Sequence, residues 1–138
     1  MEGKVNVTVR SLVTVDGQHE MICQHGKGKL TKETDGWRLR YVASNTEGEK
    51  SQSDIRLTAQ GASVRNCLEG YTMEIHPGET TSAGVKTPYG RIDMYVSSRR
   101  VHWTLEDEVQ GKIEFEYTLL SGGQAVSDLA VELQLSKE

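Results

Sequence analysis

The sequence has few cysteines, few prolines and no long apolar run. Cys23 and Cys67 have neither a CxxC nor any other paired spacing, so we expect reduced thiols rather than a disulfide. No stretch approaches the roughly 18 apolar residues that a membrane-spanning helix requires. Two prolines and fourteen glycines, with almost no segment that follows a helical period, favour many short strands joined by turns.

Basic residues are also in deficit. Lys and Arg number 16 against 20 Asp and Glu, which gives a net charge of −4, and basic and acidic residues alternate along the same predicted strands. Since nucleic-acid binders usually present a basic stripe, we expect no nucleic-acid partner. The first residues, MEGKVNVTV, lack the charged start, apolar run and cleavage site of a secretory signal, so we expect a cytoplasmic protein with no membrane partner.

The clearest pattern runs from Gly111 to Leu135 and predicts two long antiparallel strands folded at Gly122-Gly123. Apolar side chains occupy every second position of both strands, so one face is apolar and the other is solvated. These positions are Ile113, Phe115, Tyr117 and Leu119 in the first strand and Leu129, Val131, Leu133 and Leu135 in the second. Because an apolar face has to be covered, the remaining strands must close over it.

The first half of the chain predicts a sheet that bends. The alternation of Val5 to Val9 slips by one place at Leu12, which predicts a β-bulge. Asp16-Gly17 is a two-residue hairpin signal. In the next strand Gly26 and Gly28 share the inward face, where glycines allow a sharp bend or the close approach of another backbone. The same face carries Ile22, Gln24 and Leu30.

Three further segments are predicted to be irregular. Ser44 to Ser53 is polar throughout and is predicted to be an exposed loop. Pro77 to Lys86 has little to bury and is predicted to be a second loop. Arg99-Arg100 is predicted to be the turn between one strand at Arg91 to Val96 and another at Val101 to Leu105.

These strands predict one all-β domain over residues 1–138. About eight to ten strands with turn signals every ten residues or so indicate an antiparallel up-and-down barrel. Closure into a barrel removes the exposed sheet edges, and nearly every connection can be a short turn. A sandwich of two sheets uses the same alternation and is the alternative architecture.

Two segments also carry a resemblance to a known family. Thr87 to Met94, TPYGRIDM, followed by Gly111 to Tyr117, GKIEFEY, resembles the core of the YwiB-like family of small bacterial proteins. Val9 to Val13, with Asp16-Gly17 and Gly28, is similar to the first hairpin of that family in order and spacing. The resemblance implies a lipocalin-like, calycin-type β-barrel in the cytoplasm of a bacterium, most plausibly a Gram-positive one. It implies no reaction and no catalytic residues.

Polar and aromatic side chains with inward parity predict a ligand-binding lumen. Buried amides need hydrogen-bond partners, which a ligand can supply, and aromatic walls with a few polar groups are typical of small-molecule pockets. The candidate ligand-binding residues are Gln24, Tyr41, Asn66, Tyr71, Trp103 and Tyr117. The alternative is that the amides bind backbone groups or water and that the aromatic residues are plain core.

A series of nitrogen and sulfur donors alternates along the second strand, a set suited to copper or zinc. It consists of His19, Met21, Cys23 and His25. Ile22 and Leu30 define the inward parity, so these four side chains are predicted to point outward. Successive donors on one strand face stand ~7 Å apart, too far for more than two to reach one ion. We therefore predict no metal site there.

No motif brings together a nucleophile, a base and an oxyanion donor, so we expect no enzyme, no catalytic residues and no cofactor. The carboxylates are predicted to be solvated surface, among them Asp93, Glu106, Asp107, Glu108, Glu114 and Glu116. The leading hypothesis is a barrel that binds a small, largely apolar molecule in its lumen. The second is a barrel filled with side chains that acts through its outer surface, as an interaction or regulatory module or a homodimer. A cavity of ~300 Å³ or more favours the first.

Overall fold

The protein, in a computed structural model, is described at residues 2–67, 70–87, 89–105 and 110–138, without the side chains at positions 2, 85–87 and 91. Within these ranges it forms ten β-strands and no helix, as the sequence predicts. The strands are β1 (Glu2–Val15), β2 (Gln18–Glu33), β3 (Gly36–Ser44), β4 (Lys50–Thr58), β5 (Gly61–Asn66), β6 (Tyr71–Ile75), β7 (Thr80–Thr87), β8 (Gly90–Leu105), β9 (Gly111–Ser121) and β10 (Gln124–Lys137).

All ten strands form one antiparallel sheet in the order β6-β5-β4-β3-β2-β1-β10-β9-β8-β7. Strands that follow each other in the chain are neighbours, and β1 pairs with β10, so the sheet curls into a nearly closed barrel. The predicted up-and-down barrel is confirmed, and the two-sheet sandwich is excluded. β6 and β7 lie side by side at the seam, where no ladder joins them in the described residues. There the Thr81 hydroxyl donates a hydrogen bond of 2.6 Å to the Glu74 carbonyl.

The C-terminal hairpin forms as the alternation predicts. Opposite Phe115 on β9 lies Val131 on β10, and opposite Tyr117 lies Leu129, so their side chains share the inner face. The turn lies at Gly122-Gly123, and a bulge at Val126 shifts the register just after it. This hairpin also joins the two halves of the barrel, because β10 pairs with β1.

The predicted role of the inward glycines on β2 is confirmed. A Cβ atom at Gly26 would lie 1.9 Å from the carbonyl oxygen of Val42, and one at Gly28 would lie 2.3 Å from that of Arg40. Both distances are far shorter than a normal carbon–oxygen contact. The missing side chains therefore let the backbone of β3 approach β2 closely where the sheet curls.

The predicted bulge in β1 is wrong. The register of β1 with β2 is continuous from Glu2 to Val15, and with β10 it is continuous from Val5 to Thr14. Ser11 and Val13 therefore stay on the inner face with the valines that precede them, whereas Leu12 points outward and is 36% exposed. The apparent slip arose because a polar inward residue, Ser11, interrupts the apolar alternation.

The predicted turn at Arg99-Arg100 is also wrong, because the shift in alternation there comes from a bulge inside one strand. β8 runs without interruption from Gly90 to Leu105, and a bulge lies between Ser98 and Arg100. Ser98 pairs with Tyr117 and Val101 pairs with Phe115, so the extra residue restores the inward face after the shift. In β8, unlike β1, a bulge therefore causes the shift in the apolar alternation.

Both predicted loops are also shorter than expected. Most of Pro77 to Lys86 belongs to β7, an edge strand whose Ala83 is buried. The irregular part of Ser44 to Ser53 is confined to residues 45–49, since β4 begins at Lys50. Ser53 is buried on the inner face of β4, which its polar character alone does not predict.

The core fills one end of the barrel more completely than the other. Along β1 the inward side chains change from fully buried at Val5 and Val7 to half-buried at Ser11 and Val13. The packed end also holds Leu30, Leu39, Leu57, Ile113 and Leu135. The other end admits solvent, since Ile22 faces the lumen and is still 37% exposed. The candidate site lies at this open end.

Candidate functional site

A cavity of about 200 Å³ occupies the open half of the lumen. Inward side chains from both halves of the barrel line it: each strand from β1 to β6 contributes one to three residues, and β9 and β10 complete the wall. Its apolar part includes Val9, Ile55, Met73, Phe115 and Leu133. The cavity therefore lies inside the barrel, between the strands of its two halves.

Five of the six predicted ligand-binding residues meet in this cavity. They come from five different strands and are Gln24 on β2, Tyr41 on β3, Asn66 on β5, Tyr71 on β6 and Tyr117 on β9. The sixth, Trp103, does not line it. Trp103 pairs with Ile113 and packs partly buried against the core at the closed end of the barrel. Ligand binding by these residues stays a prediction.

Serine hydroxyls extend the polar part of the cavity beyond the predicted set. Ser11, Ser51 and Ser53 line it, and the Ser51 hydroxyl donates a hydrogen bond of 2.9 Å to the side-chain carbonyl of Gln24. The sequence did carry a signal for Ser51 and Ser53. Both occupy alternate positions before the inward residue Ile55, but this segment was predicted to be a loop and the alternation was not followed into it. The Gln24 carbonyl is therefore satisfied within the protein.

Three tyrosines form a cluster in the cavity. The hydroxyls of Tyr41 and Tyr71 are close enough to Tyr117 to influence its ionisation. Burial raises the pKa of Tyr41 above its usual value of 10.0, opposed in part by a hydrogen bond with Ser53. Burial, and then the neighbouring Tyr71 and Tyr41, also raise the pKa of Tyr117. Both phenols therefore keep their protons at neutral pH and can donate hydrogen bonds.

The cavity is electrically neutral. No Asp, Glu, Lys, Arg or His is found among the described residues that line it. A charged ligand would lose its hydration there without meeting a countercharge, which is costly. The hydroxyls and amides can instead orient an uncharged molecule through hydrogen bonds.

The donors of β2 lie on the outer surface, as predicted. His19, Met21, Cys23 and His25 are all exposed. The Nδ1 atom of His19 lies 2.8 Å from the Thr14 hydroxyl, so this ring pairs with the neighbouring strand. In the parts of the chain that the structure describes, no three His, Cys, Asp or Glu side chains are grouped to hold a metal ion.

Carboxylates on the outer wall form surface ion pairs. Glu114 lies 3.1 Å from Arg100 and 3.5 Å from Lys112. The predicted acidic residues at 106–108 lie outside the described residues. A larger groove of about 500 Å³ lies on the outside of β2, β3 and β4, where Arg38 forms two hydrogen bonds with Asp54, of 3.0 and 2.6 Å. Outward-facing charged side chains form much of its wall.

Among the described residues there is no helix with the length and apolar content needed to cross a membrane. No curated protein matches the chain. A solved structure does: the crystal structure of the YwiB protein from Bacillus subtilis has a TM-score of 0.85 and 19% sequence identity, and the match covers 99% of this chain and 93% of that chain. At this identity the likeness shows the fold alone.

The family comparison covers most of the sequence. The family described as a domain of unknown function, DUF1934, matches residues 7–133. This range includes both segments that carried the resemblance to the YwiB-like proteins, at Val9 to Val13 and at Thr87 to Tyr117. The chain therefore belongs to the DUF1934 family, and the predicted resemblance is confirmed.

Proposed function

We propose that this protein binds a small, largely apolar molecule in the open half of its barrel lumen and catalyses no reaction on it. The observation that carries the proposal is the meeting of Gln24, Tyr41, Asn66, Tyr71 and Tyr117 around one cavity of about 200 Å³. Apolar walls with a few placed polar groups are the usual composition of small-molecule sites.

The volume limits the ligand to a molecule of about one ring. Sites for drug-sized ligands usually exceed ~300 Å³, whereas an apolar cavity of ~150 Å³ in another protein accommodates benzene. The cavity volume of about 200 Å³ is smaller than the ~300 Å³ expected above for a lumen site and falls between these two values. It therefore supports a benzene- to indole-sized ligand and argues against a long fatty acid.

The absence of catalysis is proposed from the chemistry of the lining. The cavity offers serine and tyrosine hydroxyls, but none of the four histidines lines it, and no described carboxylate does. A hydroxyl nucleophile needs a base within hydrogen-bond reach to become reactive. The lumen supplies binding groups without that base.

Filling the cavity from within tests the proposal. Ser11→Phe adds a ring on the inner face of β1, whereas the matched variant Leu12→Phe adds it on the outer face one residue later. Native mass spectrometry of protein purified from its own host should show an added small mass on the wild type and on Leu12→Phe. Ser11→Phe should lack it.

Thermal unfolding of each variant, with and without added one-ring compounds, separates loss of binding from loss of folding. The wild type should be stabilised by at least one compound of a small aromatic panel, because a ligand that binds only the folded state raises its stability. Lumen binding is refuted if the wild type from its own host carries no added mass and no compound of the panel raises its unfolding temperature.

A second candidate is an interaction through the outer surface, including a homodimer. It is favoured by an exposed apolar pair: Leu12 on β1 lies directly opposite Met21 on β2, and the latter is 55% exposed. Exposed apolar patches often mark contact sites. Analytical ultracentrifugation of the wild type and of Met21→Glu tests this candidate. A wild-type dimer that the substitution dissociates supports it, whereas a wild-type monomer at high protein concentration rejects the homodimer.

A further inference from the structure

The Tyr117 hydroxyl is a polar group that the fold leaves for a ligand. The Tyr117 side chain is only 5% exposed and lines the lumen cavity. No hydrogen bond joins its hydroxyl to a described residue. No fully buried side-chain nitrogen or oxygen in the described part of the protein lacks a partner, so this hydroxyl must keep access to the cavity space. A hydroxyl that faces an apolar cavity without a partner is unfavourable, and a ligand acceptor or water would satisfy it.

The two neighbouring tyrosines do not share this property. The Tyr41 hydroxyl is engaged by Ser53, and Tyr71 has an interaction partner of its own. The Gln24 carbonyl already accepts from Ser51. Tyr117 is therefore the tyrosine of the cluster whose hydroxyl has no hydrogen bond to a described residue and remains open to a bound molecule. Since its phenol stays protonated at neutral pH, the molecule must offer an acceptor.

The remainder of the lining defines the other features of the ligand. Phe115, Ile55 and Leu133 provide apolar walls against which a ring can pack. The neutrality of the described lining disfavours an ionised group, because no countercharge replaces its hydration. The volume of about 200 Å³ leaves space for one ring and a short substituent.

Resting on the lumen binding proposed above, we propose that the ligand class is an uncharged one-ring molecule with a hydrogen-bond acceptor, such as a carbonyl oxygen, that accepts a hydrogen bond from the Tyr117 hydroxyl. Tyr117 then discriminates among molecules of equal shape by their acceptor. An acidic ligand of the same size is rejected by the lack of countercharge.

Three probes of one shape test this ligand class. Acetophenone carries a carbonyl oxygen, α-methylstyrene replaces that oxygen by a methylene group, and benzoate replaces the methyl group by a charged oxygen. Their affinities are measured by NMR titration at neutral pH for the wild type, for Tyr117→Phe and for the control Tyr95→Phe, which changes an exposed tyrosine of β8 outside the cavity lining. The affinity ratio of acetophenone to α-methylstyrene is compared between proteins, which cancels the different hydration of the two probes.

The ratio should fall by about three- to tenfold in Tyr117→Phe, the effect of one hydrogen bond, while α-methylstyrene binding is unchanged. Tyr95→Phe should keep the wild-type ratio, and benzoate should bind the wild type at least about tenfold more weakly than acetophenone. An unchanged ratio in Tyr117→Phe, or benzoate that binds as tightly as acetophenone, would overturn the inference and leave lumen binding intact.

Failure of all three probes to bind the wild type, with no added mass on the protein from its host, would overturn the proposed function as well.

A second measurement needs no variant and covers the case in which Tyr117→Phe does not fold. The carbonyl stretching frequency of acetophenone bound to the wild type should be lower than in an apolar solvent, as for any hydrogen-bonded carbonyl. A frequency equal to that in the apolar solvent refutes the contact with Tyr117.

Discussion

Replacing Gly26 by alanine tests whether close backbone contact curls the barrel. Gly26 lies on the inner face of β2 opposite Ala43 of β3. An added Cβ atom would lie 1.9 Å from the Val42 carbonyl oxygen, 2.7 Å from the Val42 carbonyl carbon and 2.6 Å from the Ala43 Cα. All three are backbone atoms, so no side chain can rotate away. β2 and β3 must separate by more than about 1 Å to restore a normal contact of ~3.3 Å.

The expected cost follows from that displacement. Overpacking in a close-packed region costs about 1–3 kcal/mol, and each ladder hydrogen bond that is stretched beyond its range adds about 1 kcal/mol. The lower flexibility of alanine in the unfolded chain returns about 0.4–1 kcal/mol. We therefore expect Gly26→Ala, with one stretched ladder hydrogen bond, to lower the free energy of unfolding by about 1–3.5 kcal/mol, a large fraction of the stability of a typical domain.

Guanidinium unfolding of the wild type and two variants measures this effect. The control is Lys27→Ala, the next residue on the same strand, which points outward and forms an exposed ion pair of 3.2 Å with Glu138. We expect it to change the unfolding free energy by less than about 1 kcal/mol. If Gly26→Ala unfolds within about 0.5 kcal/mol of the wild type, or if the two variants are equally destabilised, close approach at Gly26 does not hold the curl of the sheet.

Two further predictions concern the outer wall and the seam. Asp54→Asn should cost about 1 kcal/mol at neutral pH, because Arg38 binds the carboxylate through two hydrogen bonds. The hydrogen bond from Arg38, and then nearby arginine charges, lower the pKa of Asp54 below 3.8, so this stability is present above that value and is lost as the pH falls through the folded-state pKa. Urea unfolding curves of the variant and the wild type should therefore converge in acid, and a constant difference at all pH values contradicts the ion pair. Ser98→Ala removes the acceptor of the His76 backbone N–H, at 3.1 Å, and should cost about 1–2 kcal/mol with faster amide exchange at His76, whereas Ser97→Ala should change neither.

Alternation along the chain was sufficient to predict which face most side chains share. The hairpin from Gly111 to Leu135 has the predicted turn and inward residues. Asp16-Gly17 forms the predicted two-residue turn, with φ of 51° and 77° at its two residues. Both signals are local, because the strand period and the turn conformation depend on a few neighbouring residues.

A slip in that alternation was not sufficient to predict a bulge or a turn, because a slip has several physical origins. At Leu12 the slip comes from a polar residue, Ser11, that faces the lumen, and the register of β1 is unbroken. Between Val96 and Val101 it comes from a bulge inside β8. The sequence shows the same pattern in both places, and only the hydrogen-bonded ladder with the neighbouring strands distinguishes them.

The sequence by itself determined most of the strands, their antiparallel order and the inward parity of all six candidate residues. Only the tertiary structure decided how far along the barrel each residue lies. Tyr117 and Trp103 are both inward-facing aromatics, yet one reaches the open cavity and the other packs at the closed end. Parity is a property of a single strand, whereas depth depends on the stagger between strands when the sheet closes. That stagger placed five residues from five strands around one space and excluded the sixth.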